Sequence, residues 1–440
     1  KDLKNHWFIK NNFKFSSKTA NWQTSISNAF VSLSNPLAYF ISGAQFPVGQ
    51  IVFKDAQTGS EIAKIDNSGI FSGQPFKYLN GSLPNDGIMG TSAWYKDNST
   101  DEWMNQFIIH KKSKKHDFSF GSSLGISNTS HFTSGTFGFV TYEPNPRMLS
   151  VILENPGQPA LKLSDDNGLS NYGGLFYTNA EANVLQIAGF ANDRWSISDN
   201  IHFDLGLRYE TINHKGKKDR FAPFSDKGGL DGDVLTEYDN GVLASTGEKD
   251  SFDYSYNYLS FSTAINYKID DKTALFTRFS KGHKAPELNY YFNNFSNVPI
   301  NQKGTIQKII QTEIGIKFNR KQFAFTGTAF WSKLKDVGNA NFEFDDSNNS
   351  IFYTPILFNS SDTYGFEWES IYTSIDYWKF SFDGVIQNPK ATNWKVYDAA
   401  GSVDIKDDSI IDYSGNTLPF NPKFMFNLGA HFQKNKVSAF

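Results

Sequence analysis

The chain has 440 residues, 39% of them hydrophobic, with a high aromatic share of 16% made up of 42 Phe, 20 Tyr and 9 Trp. A net charge of −3 without any basic stripe argues against nucleic acid, and no run of about 18 apolar residues exists, which excludes transmembrane helices. The mean hydropathy of −0.46 would suit a soluble protein. Many aromatics at low mean hydropathy, however, is what a membrane β-barrel requires: alternate residues face lipid, the lumen is polar and aromatic girdles mark the rims. The cysteine-free composition fits an oxidising compartment without a disulfide framework.

The chain opens in KDLKNHWFIKNNFKF, which already reads as strand and carries no secretory signal, so the numbering is expected to start inside a mature protein or a fragment. Ala38–Gly87 lacks sustained alternation and reads as long outer loops with a few strands. Phe118, Phe120, Leu124 and Ile126 then alternate with Asp117, Ser119, Gly121 and Ser123. The clearest strand is Ile201–Thr211, where Ile201, Phe203, Leu205, Leu207 and Tyr209 share one face and His202, Asp204, Gly206, Arg208 and Glu210 the other. So many charges suit a wet lumen behind a lipid-facing row. The same split recurs in Leu259–Ile269, Thr312–Phe318, Tyr364–Tyr372 and Lys423–Phe432, in runs of about 9–12 residues, the length a tilted strand needs to cross a bilayer.

Tight polar turns at Ser113–His116, Ser198–Asn200, Asp270–Lys272, Asn319–Gln322, Thr373–Asp376 and Gln433–Lys436 alternate with long polar segments. The clearest of these are Asn213–Asp253, His283–Gly304, Gly338–Ser350 and Asn388–Leu418. Short turns on one side and long loops on the other are the outer-membrane pattern; a propeller would show blade repeats of about 40–50 residues, and none is visible. The expected fold is therefore all-β, a large antiparallel transmembrane barrel.

Five segments, in order, carry a resemblance. ANDRWSISDNIHFDLGLRYE (Ala191–Glu210), YLSFSTAINYKIDDKTALFTRFSKGHKAPELN (Tyr258–Asn289), TEIGIKFNRKQFAFTGTAFWSKLKD (Thr312–Asp336), YGFEWES (Tyr364–Ser370) and GNTLPFNPKFMFNLG (Gly415–Gly429) resemble successive hairpins of TonB-dependent outer-membrane receptors. The likeness spans about residues 183–433; upstream only general barrel character remains. It implies a barrel of about 22 strands, of which the pattern locates about 14–18. It also implies an N-terminal plug, a TonB-contacting segment, a place in the bacterial outer membrane and no bond-breaking catalysis. Neither plug nor contact segment is recognisable here, and only Val437–Phe440 follow the last turn. Residues 1–440 are thus expected to form a partial barrel without the plug and last strands. The Asn-, Lys-, Phe- and Ile-rich composition is Bacteroidota-like, where such receptors often sit under a surface lipoprotein.

Lumen- or plug-facing roles are expected for Arg208, Glu210, Glu313, Lys317, Glu367 and Glu369, which would be costly in lipid. Gly206, Gly315 and Gly365 are expected to leave room inside, and Gly282 and Pro286 to end a strand at the outer rim. In LNYYFNNF (Leu288–Phe295), the residues Tyr290, Tyr291, Phe292, Asn293 and Asn294 are ligand-contact candidates, offering flat stacking faces and bidentate amides; the competing reading is a girdle or loop-packing cluster. Tyr142–Arg147 (YEPNPR) is a weaker candidate loop. No catalytic, cofactor or metal site is expected: the eight His are scattered, and Asp231, Asp233, Asp345 and Asp346 lack full calcium spacing. Three functions remain open: import of a siderophore, glycan or similar ligand, coupled through TonB to an inner-membrane motor; a passive channel; and a receptor-like scaffold in a surface complex.

Overall fold

The computed structural model describes residues 2–3, 6–34, 48–170, 177–223, 229, 231–239, 243–292, 303–339, 342–345, 350–354, 356–373, 375–398, 400, 404 and 406–439. Its main body is an antiparallel meander of long strands: β1 (Trp7–Ser32), β2 (Gly87–Lys112), β3 (His116–Thr141), β4 (Thr178–Ser196), β5 (Ile201–Pro223), β6 (Leu243–Asp270), β7 (Thr273–Lys284), β8 (Gln307–Arg320), β9 (Phe323–Asn339), β10 (Leu357–Tyr372), β11 (Trp378–Asn393), β12 (Phe424–Lys434) and the short β13 (Val437–Ala439). Each pairs with its neighbours in sequence, and the six short turns all lie at one end. That end is periplasmic, and the long loops are extracellular. Among the described residues β1 and β13 are not paired with each other.

Among the described residues the meander has fewer strands than the pattern located, and several are much longer than a bilayer crossing. β1, β2 and β3 have 26 residues each, and β6 has 28; β7 and β12 have only 12 and 11. The wall is therefore tall over β1–β6 and low beyond. Much of Asn213–Asp253, expected as loop, is ladder. Lys215–Asp253 (3.1 Å), Lys217–Glu181 (2.6 Å) and Arg220–Asp250 (2.6 Å) tie the strands together above the membrane, where no apolar period is needed.

The alternation decides the two faces. Leu205, Leu207, Tyr209, Leu259, Ile314, Phe366 and Leu428 are all exposed, and such exposed apolar side chains outnumber the buried core. A water-soluble surface rarely tolerates patches of this size, whereas lipid requires them. Arg208, Glu210, Glu313, Lys317, Glu367 and Glu369 occupy the alternate positions of the same strands, on the face opposite that apolar row. Girdle pairs lie at the periplasmic end: Trp378–Phe432 at 5.2 Å and Trp195–His116 at 5.7 Å.

The inward glycines have another explanation than spare room. Phe276 stands directly opposite Gly315, Phe330 opposite Gly365, Phe190 opposite Gly121 and Phe252 opposite Gly216. A Cβ on Gly121 or Gly365 would fall 2.8 Å from the facing ring, and on Gly315 closer still. Each ring thus lies across its neighbour's bare backbone, shielding that ladder. Gly206 differs, meeting Asn192 and Ser262.

The first third, expected as outer loops with a few strands, carries a folded lobe. The end of β3 continues into Met148–Leu153, which pairs with Gln50–Asp55, then Glu61–Asp66, then Lys77–Gly81. Its core joins Ile51, Phe53, Ala63, Ile65, Leu149 and Val151 to Ile88 and Phe139. Those last two point inward from β2 and β3, so the lobe packs on the inner side of the tall wall.

Two outcomes test this architecture. Leu207→Arg should cost about 2–4 kcal/mol in lipid, whereas Ser260→Arg on the inward face should cost far less, both read by urea-dependent folding into vesicles. Gly315→Ala should cost about 1–3 kcal/mol from overpacking and less once Phe276 is Ala, the remainder coming from the Gly327 carbonyl that the new Cβ would meet at 2.6 Å; simple additivity would refute the ring-over-glycine contact.

Candidate functional site

The inner wall above the membrane is lined by β3–β6. Beyond Leu259 the outward residues of β6 turn polar, as Asn257, Ser255 and Asp253, while the inward ones become aromatic, as Tyr258, Tyr256, Tyr254 and Phe252. The hydrophobic parity therefore inverts at the membrane surface. The signal, F-D-Y-S-Y-N-Y over 252–258, is present in the sequence, but Phe252 and Asp253 fall at the end of the expected loop and the residues up to Asn257 are not assigned to an element.

β7 ends at Lys284, and Ala285 and Pro286 are buried as the chain turns inward. A single helical turn, α1 (Asn289–Phe292), then packs on the wall. Tyr291 is fully buried: it stacks on Phe252 (4.6 Å) and Tyr254 (5.5 Å), and its hydroxyl pairs with that of Tyr256 and accepts the Gly304 N–H at 3.3 Å. Phe292, also buried, packs against Ala180 and Ala182 and stacks with His131 at 5.9 Å. Tyr290 lies edge-on to Tyr291 at 5.0 Å and is partly exposed. Asn293 and Asn294 lie outside the described residues. Of the five contact candidates, then, two are packing residues, and Tyr290 alone among those described keeps accessible surface.

Polar groups frame this aromatic wall. His214 is buried between the edges of Tyr256 (5.7 Å) and Tyr291 (6.2 Å), and its Nδ1 has no hydrogen-bond partner among the described residues. Burial holds both His214 and His131 below the usual imidazole range, with Lys96 adding to the effect at His131. Higher on β5, burial pushes the Lys218 ammonium down to about 8, with Asp250 opposing. The Lys303 ammonium sits over the Tyr256 ring at 4.9 Å. Below, Arg208 donates to Glu210 (2.8 Å) and Ser123 (3.2 Å), and Tyr258 donates to the same carboxylate.

The other inward charges stay apart from this cluster. Glu313 stands across the ladder from Arg278, and Lys317 lies over Phe276 at 5.2 Å. Glu367 faces Thr328, and Glu369 faces Thr326 and Asp383, on the low side of the wall. No group of three or more metal-type ligands occurs among the described residues; Asp231 caps its own loop through the Asp233 N–H and the Thr236 hydroxyl. In Tyr142–Arg147, Glu143 is spent on Thr141 and Arg147.

Tyr291→Ala should release α1 from the wall, at a local cost of about 3 kcal/mol. Trypsin should then cut at Lys284 or Lys303 much faster, with barrel mobility on cold gels unchanged; equal cleavage rates would show that Tyr291 does not hold the segment.

The family model for the TonB dependent receptor-like beta-barrel matches residues 5–439. The TonB-dependent heme receptor A of Haemophilus influenzae is 30% identical over 176 residues, covering 34% of this chain and 20% of that receptor. Among solved structures, the ferric-catecholate import receptor Fiu of E. coli K12 in its closed form aligns with a TM-score of 0.49 at 13% identity, over 99% of this chain and 66% of its own. The ferric preacinetobactin receptor BauA of Acinetobacter baumannii aligns at 0.45 and 14%, over 85% and 46%. The chain thus spans less than two thirds of the length of these relatives. With the family model covering almost every residue, the chain belongs to the TonB-dependent receptor-like β-barrels of the outer membrane, a family of receptors and not of enzymes.

Proposed function

We propose that the chain is the barrel of a receptor that imports a scarce ligand by energy-coupled transport, with a plug inside the barrel engaging TonB and, through it, the inner-membrane motor. The observation that carries this reading is the inner wall above the membrane. An aromatic surface of Tyr254 and Tyr290 stands beside Lys303 and His131, over an Arg208–Glu210 pair. Stacking faces next to the Lys303 ammonium suit a flat, partly anionic ligand. We therefore favour an iron chelate of the siderophore or haem type over a glycan, in line with the heme receptor among its relatives.

The test is quenching of tryptophan fluorescence in the full-length receptor, screened with ferric siderophores, haem and oligosaccharides, together with uptake in cells with and without TonB. The expected result is saturable quenching by an iron chelate and TonB-dependent uptake. Quenching by oligosaccharides alone would overturn the ligand class, and uptake that persists without TonB would favour a passive channel.

A further inference from the structure

The turn joining β2 to β3 differs in charge from every other periplasmic turn. It reads Lys111-Lys112-Ser113-Lys114-Lys115-His116, and all six residues are exposed. It is hydrogen-bonded as well as basic. The Ser113 N–H donates to the His116 carbonyl at 2.8 Å, the His116 N–H donates to the Ser113 hydroxyl at 3.0 Å, and the Ser196 N–H donates to the Lys115 carbonyl at 2.7 Å.

The nearby carboxylates are engaged elsewhere. Asp117 pairs with His110, Asp193 with His116 at 2.7 Å, and Asp204 with Arg194 at 2.8 Å. None of the four lysines has an ion-pair partner among the described residues. The turn is also bracketed by interfacial aromatics on the lipid-facing side: Lys111 lies over the Trp7 ring at 4.6 Å, and His116 stacks on Trp195 at 5.7 Å. Tryptophans of this kind settle at headgroup level.

We propose that this turn is a binding site for anionic phospholipid headgroups of the periplasmic leaflet. Trp7 and Trp195 set the depth. Lys111 reaches the phosphate plane from the outer face, and Lys114 and Lys115 at the tip of the turn gather the excess negative charge. A soluble anionic partner would gain nothing from cations placed in the headgroup layer. The proposal rests on outer-membrane placement alone and is independent of ligand, plug and TonB.

The full-length protein in mild detergent is mixed with equal amounts of phosphatidylglycerol and phosphatidylethanolamine, and bound lipid is counted by native mass spectrometry. The wild type should retain an excess of phosphatidylglycerol that fades between about 0.05 and 0.5 M salt. Replacing Lys111, Lys114 and Lys115 by Gln should abolish that excess, while the matching Arg variant keeps it. Both variants should show native cold-gel mobility. An undiminished excess in the Gln variant, no excess in the wild type, or stripping of the lipid by millimolar inorganic phosphate would overturn the proposal.

Discussion

Hydrocarbon offers a peptide group no hydrogen-bond partner, so every N–H and C=O that crosses it must be satisfied by a neighbouring strand. The meander of β1–β12 meets this demand with long, almost uninterrupted ladders. Once the backbone is committed in this way, side chains can only alternate. One row, such as Leu205, Leu207 and Tyr209, meets lipid; the other, such as Arg208 and Glu210, meets the interior. The rings laid over Gly121, Gly216, Gly315 and Gly365 serve the same demand, covering backbone where a side chain is missing.

Above the membrane that constraint lifts, and the wall is put to a different use. On β6 the apolar face moves to the inside, where Phe252, Tyr254 and Tyr256 receive Tyr291 and Phe292 from the segment after β7. On β2 and β3 the inward face supports the lobe core through Ile88 and Phe139. The tall side of the wall therefore carries folded material on its inner surface. Polar ladders such as Lys217–Glu181 and Lys215–Asp253 hold it upright in water.

Below the membrane the turns are short, and their chemistry is that of an interface. The β2–β3 turn carries more cations than any of the others and sets them beside two tryptophans. The molecule thus presents an aromatic and cationic inner wall to the outside and a basic rim to the periplasmic leaflet.

The sequence by itself determined the barrel class, the two faces of each crossing strand and the polarity of turns and loops. Those follow from a period of two that lipid enforces residue by residue, as in Ile201–Tyr209 and Thr312–Phe318. It also held the F-D-Y-S-Y-N-Y alternation, unread because a strand in water needs no lipid-facing partner row to announce it. Only the tertiary structure decided where the long strands end, how segments near Ile51 and Val151 join in one core, and that Tyr291 is consumed in packing. Each of these depends on contacts between residues distant in the chain, to which local periodicity is blind.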